Sequence, residues 1–231
     1  MAYHNATTLR DTPTYGVAKF GSGLVGGVLA VPGSLNSATG TIEMWLSTTN
    51  SGVNNNALGN ESTSFWVGSY NGYAAVGLSG NIVLGPPGVA AGQSGTPKLI
   101  NDGALHHVAV TFDGSNGRLF VDGVFAVMIS YTGGIAFGVG TTVIGGWGAN
   151  VSFDWRGTID ELRISSSVRY PTTPFTVATT PFVPDANTTA LFHLDGDGVD
   201  ATTPAGGYIL STPITGAIGT PSTITATLTG G

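Results

Sequence analysis

The chain has 231 residues, 41% of them hydrophobic, enough to fill the core of one large domain. Only 9% are charged, seven basic against thirteen acidic, and the net charge of −6 excludes the cationic footprint that nucleic-acid binding needs. Cysteine is absent, which excludes disulfides and thiolate metal sites, and 37 Gly with 12 Pro interrupt the chain too often for ordinary helices.

Taken in order, Met1–Tyr15 reads as an N-terminal extension without the basic, apolar pattern of a secretory leader. No stretch approaches the ~20 apolar residues of a membrane helix, so no membrane contact is expected. His107–Phe112 and Arg118–Val127 alternate apolar and polar residues on either side of Asp113-Gly114-Ser115-Asn116-Gly117, which predicts a hairpin. Asp122-Gly123, inside the second run, predicts a further tight reversal. Gly157–Ile164 is the next strand pattern. Pro171, Pro174, Pro181 and Pro184 then make Tyr170–Asp185 an extended crossing segment, and Ala190–Leu194 returns as a strand. Residues 205–231 alternate Ile, Leu and Thr without charge, as a β-arm pairing with a neighbour, an edge strand or a loose terminus would. Many short strands between turns argue for an all-β sandwich or barrel in one domain.

Three of these stretches carry a resemblance. His106–Gly114 (HHVAVTFDG), Arg118–Val124 (RLFVDGV) and Gly157–Ile164 (GTIDELRI) resemble segments of the laminin-G-like group of concanavalin-A-like jelly rolls. Leu105 stands where that group usually has Trp. Lys19–Gly23 and Gly40–Leu46 look like the group's opening strands. The resemblance implies an all-β, concanavalin-A-like (laminin-G-like) jelly-roll β-sandwich over residues 16–204, with short terminal extensions at 1–15 and 205–231.

The run from Arg163 to Gly196, with Arg169-Tyr170, Pro181-Phe182, Asp185-Ala186-Asn187 and Leu191–Gly196, resembles a segment that closes such domains in bacteriophage structural proteins. A surface this poor in charge is either covered in Thr, Ser, Asn and Gly or buried against other subunits. The resemblance implies a non-enzymatic protein on the outer surface of a bacteriophage virion, assembled in the host cytoplasm. It would be a capsid decoration or similar subunit, a homo-oligomer or lattice neighbour of other capsid or tail proteins. The alternative is a host-recognition lectin on a tail or head appendage that binds cell-surface carbohydrate. A chain occupied by one jelly roll must anchor itself through that domain, which favours the structural role.

Chemistry-bearing residues are sparse. A retaining glycosidase needs two carboxyls about 5–5.5 Å apart, yet Glu43, Glu61 and Glu161 have no second Glu two or four residues away. Asp160 and Glu161 are adjacent and would face opposite sides of a strand. His4, His106, His107 and His193 read as structural, one of the His106-His107 pair packing inward, and no Gly-x-Ser-x-Gly elbow occurs. No catalytic residue and no cofactor is therefore expected. Asp195–Asp200 starts like a calcium loop, but the twelfth position is Gly206 where an EF-hand needs Glu. Related jelly rolls hold structural calcium, and by that resemblance Asp160 is the metal candidate. Against it, Asp160 and Glu161 would bond backbone amides or pair with Arg163 or Arg156. Sugar sites stack aromatic faces and bond hydroxyls through amides and carboxylates. Trp147, Asn150, Asp154 and Trp155 offer that vocabulary on one loop. Trp66 and Tyr70 offer it within Asn54–Tyr73, beside Asn55, Asn56, Asn60 and Tyr73. Plain core packing is the competing reading for these aromatics.

Overall fold

Turn residues cut this chain into short antiparallel strands, and apolar alternation folds the strands into two layers. The computed structural model describes residues 6–202 apart from 32–34, 61, 79–81, 138–140, 149, 172–173 and 200. His4, Glu61, Asp200 and the 205–231 arm lie outside the described residues. The strands are β1 (Thr7–Val17), β2 (Ser22–Val31), β3 (Gly40–Thr48), β4 (Asn55–Asn60), β5 (Phe65–Tyr70), β6 (Tyr73–Leu78) and β7 (Ile82–Leu84). They continue with β8 (Ser94–Gly95), β9 (His106–Phe112), β10 (Asn116–Val121), β11 (Val124–Ser130), β12 (Thr142–Ile144), β13 (Gly157–Ser165) and β14 (Thr188–Phe192).

The front layer runs β12-β4-β5-β6-β7 and the back layer runs β13-β3-β9-β10-β11-β8, with β14 on the free side of β13. Strand β2 is the corner between them. Its Leu24 pairs with Ile159 of β13, while Leu29 pairs with Ile144 of β12. One row of directly paired residues, Ile144-Leu58-Val67-Val76-Leu84, crosses the front layer and is fully buried. The facing row in the back layer is Ile164-Ile42-Val110-Leu119-Val127, and both rows belong to one core cluster. Each such side chain contributes about 1.5–3 kcal/mol on leaving water, so these two rows hold the sandwich shut. The all-β jelly-roll sandwich expected from the sequence is the fold observed.

The hairpin signals read true. Asn116–Val121 and Val124–Ser130 turn about Asp122 (φ 52°) and Gly123 (φ 76°), the left-handed pair of a two-residue reversal. Two expectations move. Lys19–Gly21 is the turn between β1 and β2, with the strand beginning only at Ser22. Residues 6–15, placed by the sequence outside the sandwich, largely form β1, which pairs along β2. The pairing of β1 breaks register three times around Pro13 and the left-handed Asp11, which disguised it as an extension.

Tyr170–Asp185 forms neither helix nor strand among its described residues and straps the outer face of the back layer. Tyr170 and Phe175 stack at 3.7 Å, and both rings and Phe182 stand edge-on to His107 at 5.9–6.2 Å. Phe175 N–H donates to Gly123 O at 2.9 Å, tying the strap to the β10–β11 turn.

Candidate functional site

The outer face of the front layer carries a second row, one residue out of phase with the core row: Gly59-Trp66-Gly77-Val83 across β4, β5, β6 and β7. A Trp between two glycines can lay its indole flat on the sheet. A Cβ on Gly77 would stand 2.0 Å from Trp66 Nε1, so only glycine admits the ring there. On the other flank, a Cβ on Gly59 would meet Gly146 O at 3.0 Å and Trp147 Cδ1 at 3.4 Å. Trp66 is 4% exposed yet stands outside the core cluster, covered on the outer face rather than packed between layers.

Trp147, on the loop after β12, and Trp66 both line a pocket of about 130 Å³. Gly77 and Val83 line it too, and Asn54, Ser64, Tyr70 and Leu78 complete the wall. Segments far apart in the chain thus converge because β12 pairs with β4 and β4 with β5. Two of the lining residues hold unused polar atoms: Trp147 Nε1 and Asn54 Oδ1 are buried without a hydrogen-bond partner. Asn56, paired with Gly68 and on the same face as Trp66, is fully buried with both amide atoms unpartnered. Groups of this kind are costly unless a bound water or ligand meets them.

The loop itself is pinned from three sides. Asn150 Oδ1 accepts from Ser152 N–H at 3.0 Å and caps the 3-10 turn Val151–Phe153. Phe153 packs on Trp147 with ring centroids 5.1 Å apart. Arg10 of β1 donates to both Asp154 carboxylate oxygens and to Gly148 O. Among the sequence candidates, then, Trp147, Trp66 and Tyr70 line the pocket. Asn150 and Asp154 support the loop instead, their side chains taken by a cap and an ion pair. Trp155 is a core residue at 7% exposure, its Nε1 donating to Thr158 O at 3.3 Å. Asn55 is also spent: its Oδ1 accepts from Arg156 N–H, and its Nδ2 lies 3.3 Å from Thr48 and Ser69 hydroxyls. Sequence reasoning missed Ser64, Gly77, Leu78 and Val83. The signal for Gly77 was a glycine inside a strand pattern, which marks a close approach.

Asp160 lies on the opposite side of the molecule, in the outer row His107-Trp45-Asp160 of the back layer. It is fully buried, and one oxygen accepts from Phe20 N–H at 2.9 Å while the other has no partner. Burial, aided by the Glu161 and Asp195 carboxylates, pushes its pKa up to about 7. Among the described residues no group of three His, Cys, Asp or Glu gathers as a metal site would. Neither Arg163 nor Arg156 pairs with Asp160; Arg163 is held by Glu43 at 2.7 Å. The expectation of opposite faces for Asp160 and Glu161 fails because Glu161 (φ 54°) is the extra residue of a bulge. Its carboxylate accepts from Phe182 N–H of the strap at 2.7 Å and meets His193 Nδ1 at 2.6 Å.

Glu43, fully buried beneath the strap, accepts from His107 Nε2 at 3.1 Å, Arg163 Nε at 2.9 Å and the Tyr170 hydroxyl at 2.6 Å. Burial alone would raise its pKa, but these partners outweigh it and hold the carboxylate below its ordinary value. His107 is the buried histidine of the pair, covered by the strap on the outer face rather than packed between the layers, and His106 lies between Asp102 and Asp122.

The sequence family described as the concanavalin A-like lectin/glucanases superfamily matches residues 23–173. No curated protein matches the chain. Among solved structures, a Bacteroides ovatus protein to which carbohydrate binding is ascribed superposes with a TM-score of 0.54 at 16% identity. The match covers 86% of this chain but 53% of that protein, so this chain spans about half its length. Domain 4 of AbnA, an extracellular GH43 arabinanase of Geobacillus stearothermophilus solved with arabinotriose, superposes with a TM-score of 0.50 at 19% identity. That match covers 71% of this chain and 79% of the domain.

Proposed function

Since the chain belongs to the concanavalin A-like lectin/glucanases superfamily, we propose that it is a carbohydrate-binding domain acting without catalysis, with the Trp66–Trp147 pocket as its sugar site. One observation carries the reading. An aromatic pocket on the outer face combines two indoles and a tyrosine with an unused donor, Trp147 Nε1, and an unused acceptor, Asn54 Oδ1. Apolar ring faces for stacking and a few placed polar atoms for hydroxyls are what a sugar requires. Among the described residues the wall of the pocket holds no carboxyl, and the chemistry those residues offer is holding rather than cleaving. That the arabinanase domain of the same fold was solved with a sugar in place supports the assignment.

The setting proposed for this domain is the outer surface of a bacteriophage virion. It would be a capsid decoration or similar subunit in contact with other virion proteins, as a homo-oligomer or lattice neighbour. The resemblance of Arg163–Gly196 to the closing segment of phage structural proteins supports this, as does the low share of charged residues, 9%. Two measurements test the pair of claims. The intact chain on a glycan array should bind at least one sugar class, and Trp147→Ala should lose that signal while keeping its circular dichroism spectrum. Binding that survives Trp147→Ala would move the site elsewhere. Imaging of purified particles should locate the chain on the shell or at a tail appendage; its absence from particles would end the virion reading and leave the sugar site standing.

A further inference from the structure

The charge and size of the pocket say more than that a sugar binds. We infer that this site takes one uncharged sugar residue at a time and excludes acidic sugars such as uronates and sialic acids. The inference rests on the sugar-binding reading and adds its specificity.

Charge comes first. Among the described residues, no Asp, Glu, Lys, Arg or His lines the pocket. Its polar atoms are neutral: an indole N–H, an amide, a phenol and a serine hydroxyl. An anionic sugar buried here would lose water without gaining a cation, and an unpaired buried charge is strongly disfavoured.

Nor do the nearby cations offer themselves. Arg10, behind the Trp147 loop, is neutralised by Asp154. Arg118, Arg163 and Arg169 are paired with Asp113, Glu43 and Asp185, and Lys19 lies over the Trp45 ring at 4.2 Å. Two basic residues remain, Lys98 and Arg156. Neither of them lines the pocket. A net charge of −6 adds a weaker, long-range repulsion.

Size comes second. The pocket holds about 130 Å³, close to the ~150 Å³ cavity that admits one benzene ring and well short of the ~300–1,000 Å³ of sites for larger ligands. That leaves room for no more than one sugar ring against the pocket wall, with Trp147 Nε1 and Asn54 Oδ1 left to bond its hydroxyls. Neighbouring residues of a longer glycan would lie outside.

The test is a set of matched pairs read by isothermal titration calorimetry on the intact chain. Methyl β-glucoside is compared with methyl β-glucuronide, methyl α-galactoside with methyl α-galacturonide, and β-galactosyl lactose with its sialylated form; methyl arabinofuranoside and N-acetylglucosamine widen the neutral arm. At least one neutral glycoside should bind, and its acidic partner should bind at least tenfold more weakly. The gap should persist in 1 M NaCl, because screening relieves the long-range repulsion but not the burial of an unpaired charge. Oligosaccharides of the preferred sugar should gain little affinity beyond the first residue. Val83→Arg, which sets a cation in the pocket wall, should narrow the gap. An acidic sugar bound as tightly as its neutral partner and lost in Trp147→Ala overturns the inference but leaves the sugar site intact. Affinity that climbs tenfold with each added residue likewise replaces the one-ring pocket with a groove. If no sugar on the wider array binds, the sugar-binding reading falls, and this inference with it.

Discussion

Replacing Asp160 with asparagine removes a titration while keeping an acceptor for Phe20 N–H, which lies 2.9 Å from the carboxyl. Burial, with the Glu161 and Asp195 carboxylates, raises the folded-state pKa to about 7 from an ordinary 3.8. Between those two values the folded chain keeps a proton that the unfolded chain has released, so stability falls as pH rises. The contribution is whole below pH 3.8 and is lost as pH passes the folded value near 7. At about 1.4 kcal/mol per pH unit, the ceiling on that loss is roughly 4 kcal/mol, and relaxation around the buried carboxylate brings it lower. The Asp160→Asn variant, with no proton to release, would carry no such loss. The assay is urea unfolding of both proteins at half-unit steps from pH 4 to pH 8, read as a difference so that every other titrating group cancels. The variant should match the wild type within about 1 kcal/mol near pH 4, gain on it steadily up to neutrality and hold a constant advantage above. A difference that stays flat across the whole range would refute the reasoning, because the carboxyl would then titrate alike in both states.

Two further outcomes probe the opposite faces of the molecule. Gly77→Ala sets a Cβ 2.0 Å from Trp66 Nε1. It should evict the indole and abolish sugar binding at a stability cost of about 1–3 kcal/mol, read by calorimetric titration and thermal melting. Retained affinity would mean that the flat Trp66 ring is dispensable. Glu43→Gln strips the charge that holds Arg163 at 2.7 Å, His107 and Tyr170 beneath the strap. It should cost about 3–5 kcal/mol and expose residues 170–185 to limited proteolysis, whereas unchanged cleavage would separate the strap from this network.

The strands were legible because the residues that end them act locally. Asp113-Gly114 and Asp122-Gly123 force reversals whatever lies around them, and two strands of the right period on either side leave the chain no other pairing. The bulge at Glu161 was not legible. One inserted residue leaves no mark in composition, yet it moves Glu161 from its expected face to the strap side, where it accepts from Phe182 N–H. The concealment of β1 has the same cause: its pattern is broken by irregularities that only pairing with β2 reveals.

The pocket was half legible, and the missing half was register. Trp147 and Trp155 stand in one Gly- and Asn-rich run, each with the same claim to a sugar site. The turn Val151–Phe153 then sends one to the pocket and the other to the core. Nothing in the run decides between them, because the choice depends on Arg10 from β1 holding Asp154 and on Gly145 O accepting from Trp155 N–H. Gly59 and Gly77 could be read as places where something comes close. That it is one indole, Trp66, follows only once β4, β5 and β6 are in register. The same pairing explains which face is available. Arg169, Tyr170, Phe175 and Phe182 cover the back layer and hold Glu43 and Glu161 there, so the atoms that stay unpartnered on that face, Trp45 Nε1, His107 Nδ1 and one Asp160 oxygen, belong to buried residues. On the front layer the Trp147 loop covers only one flank, and the atoms left over at Trp147 and Asn54 are ones that a neutral, hydroxyl-rich ligand can answer.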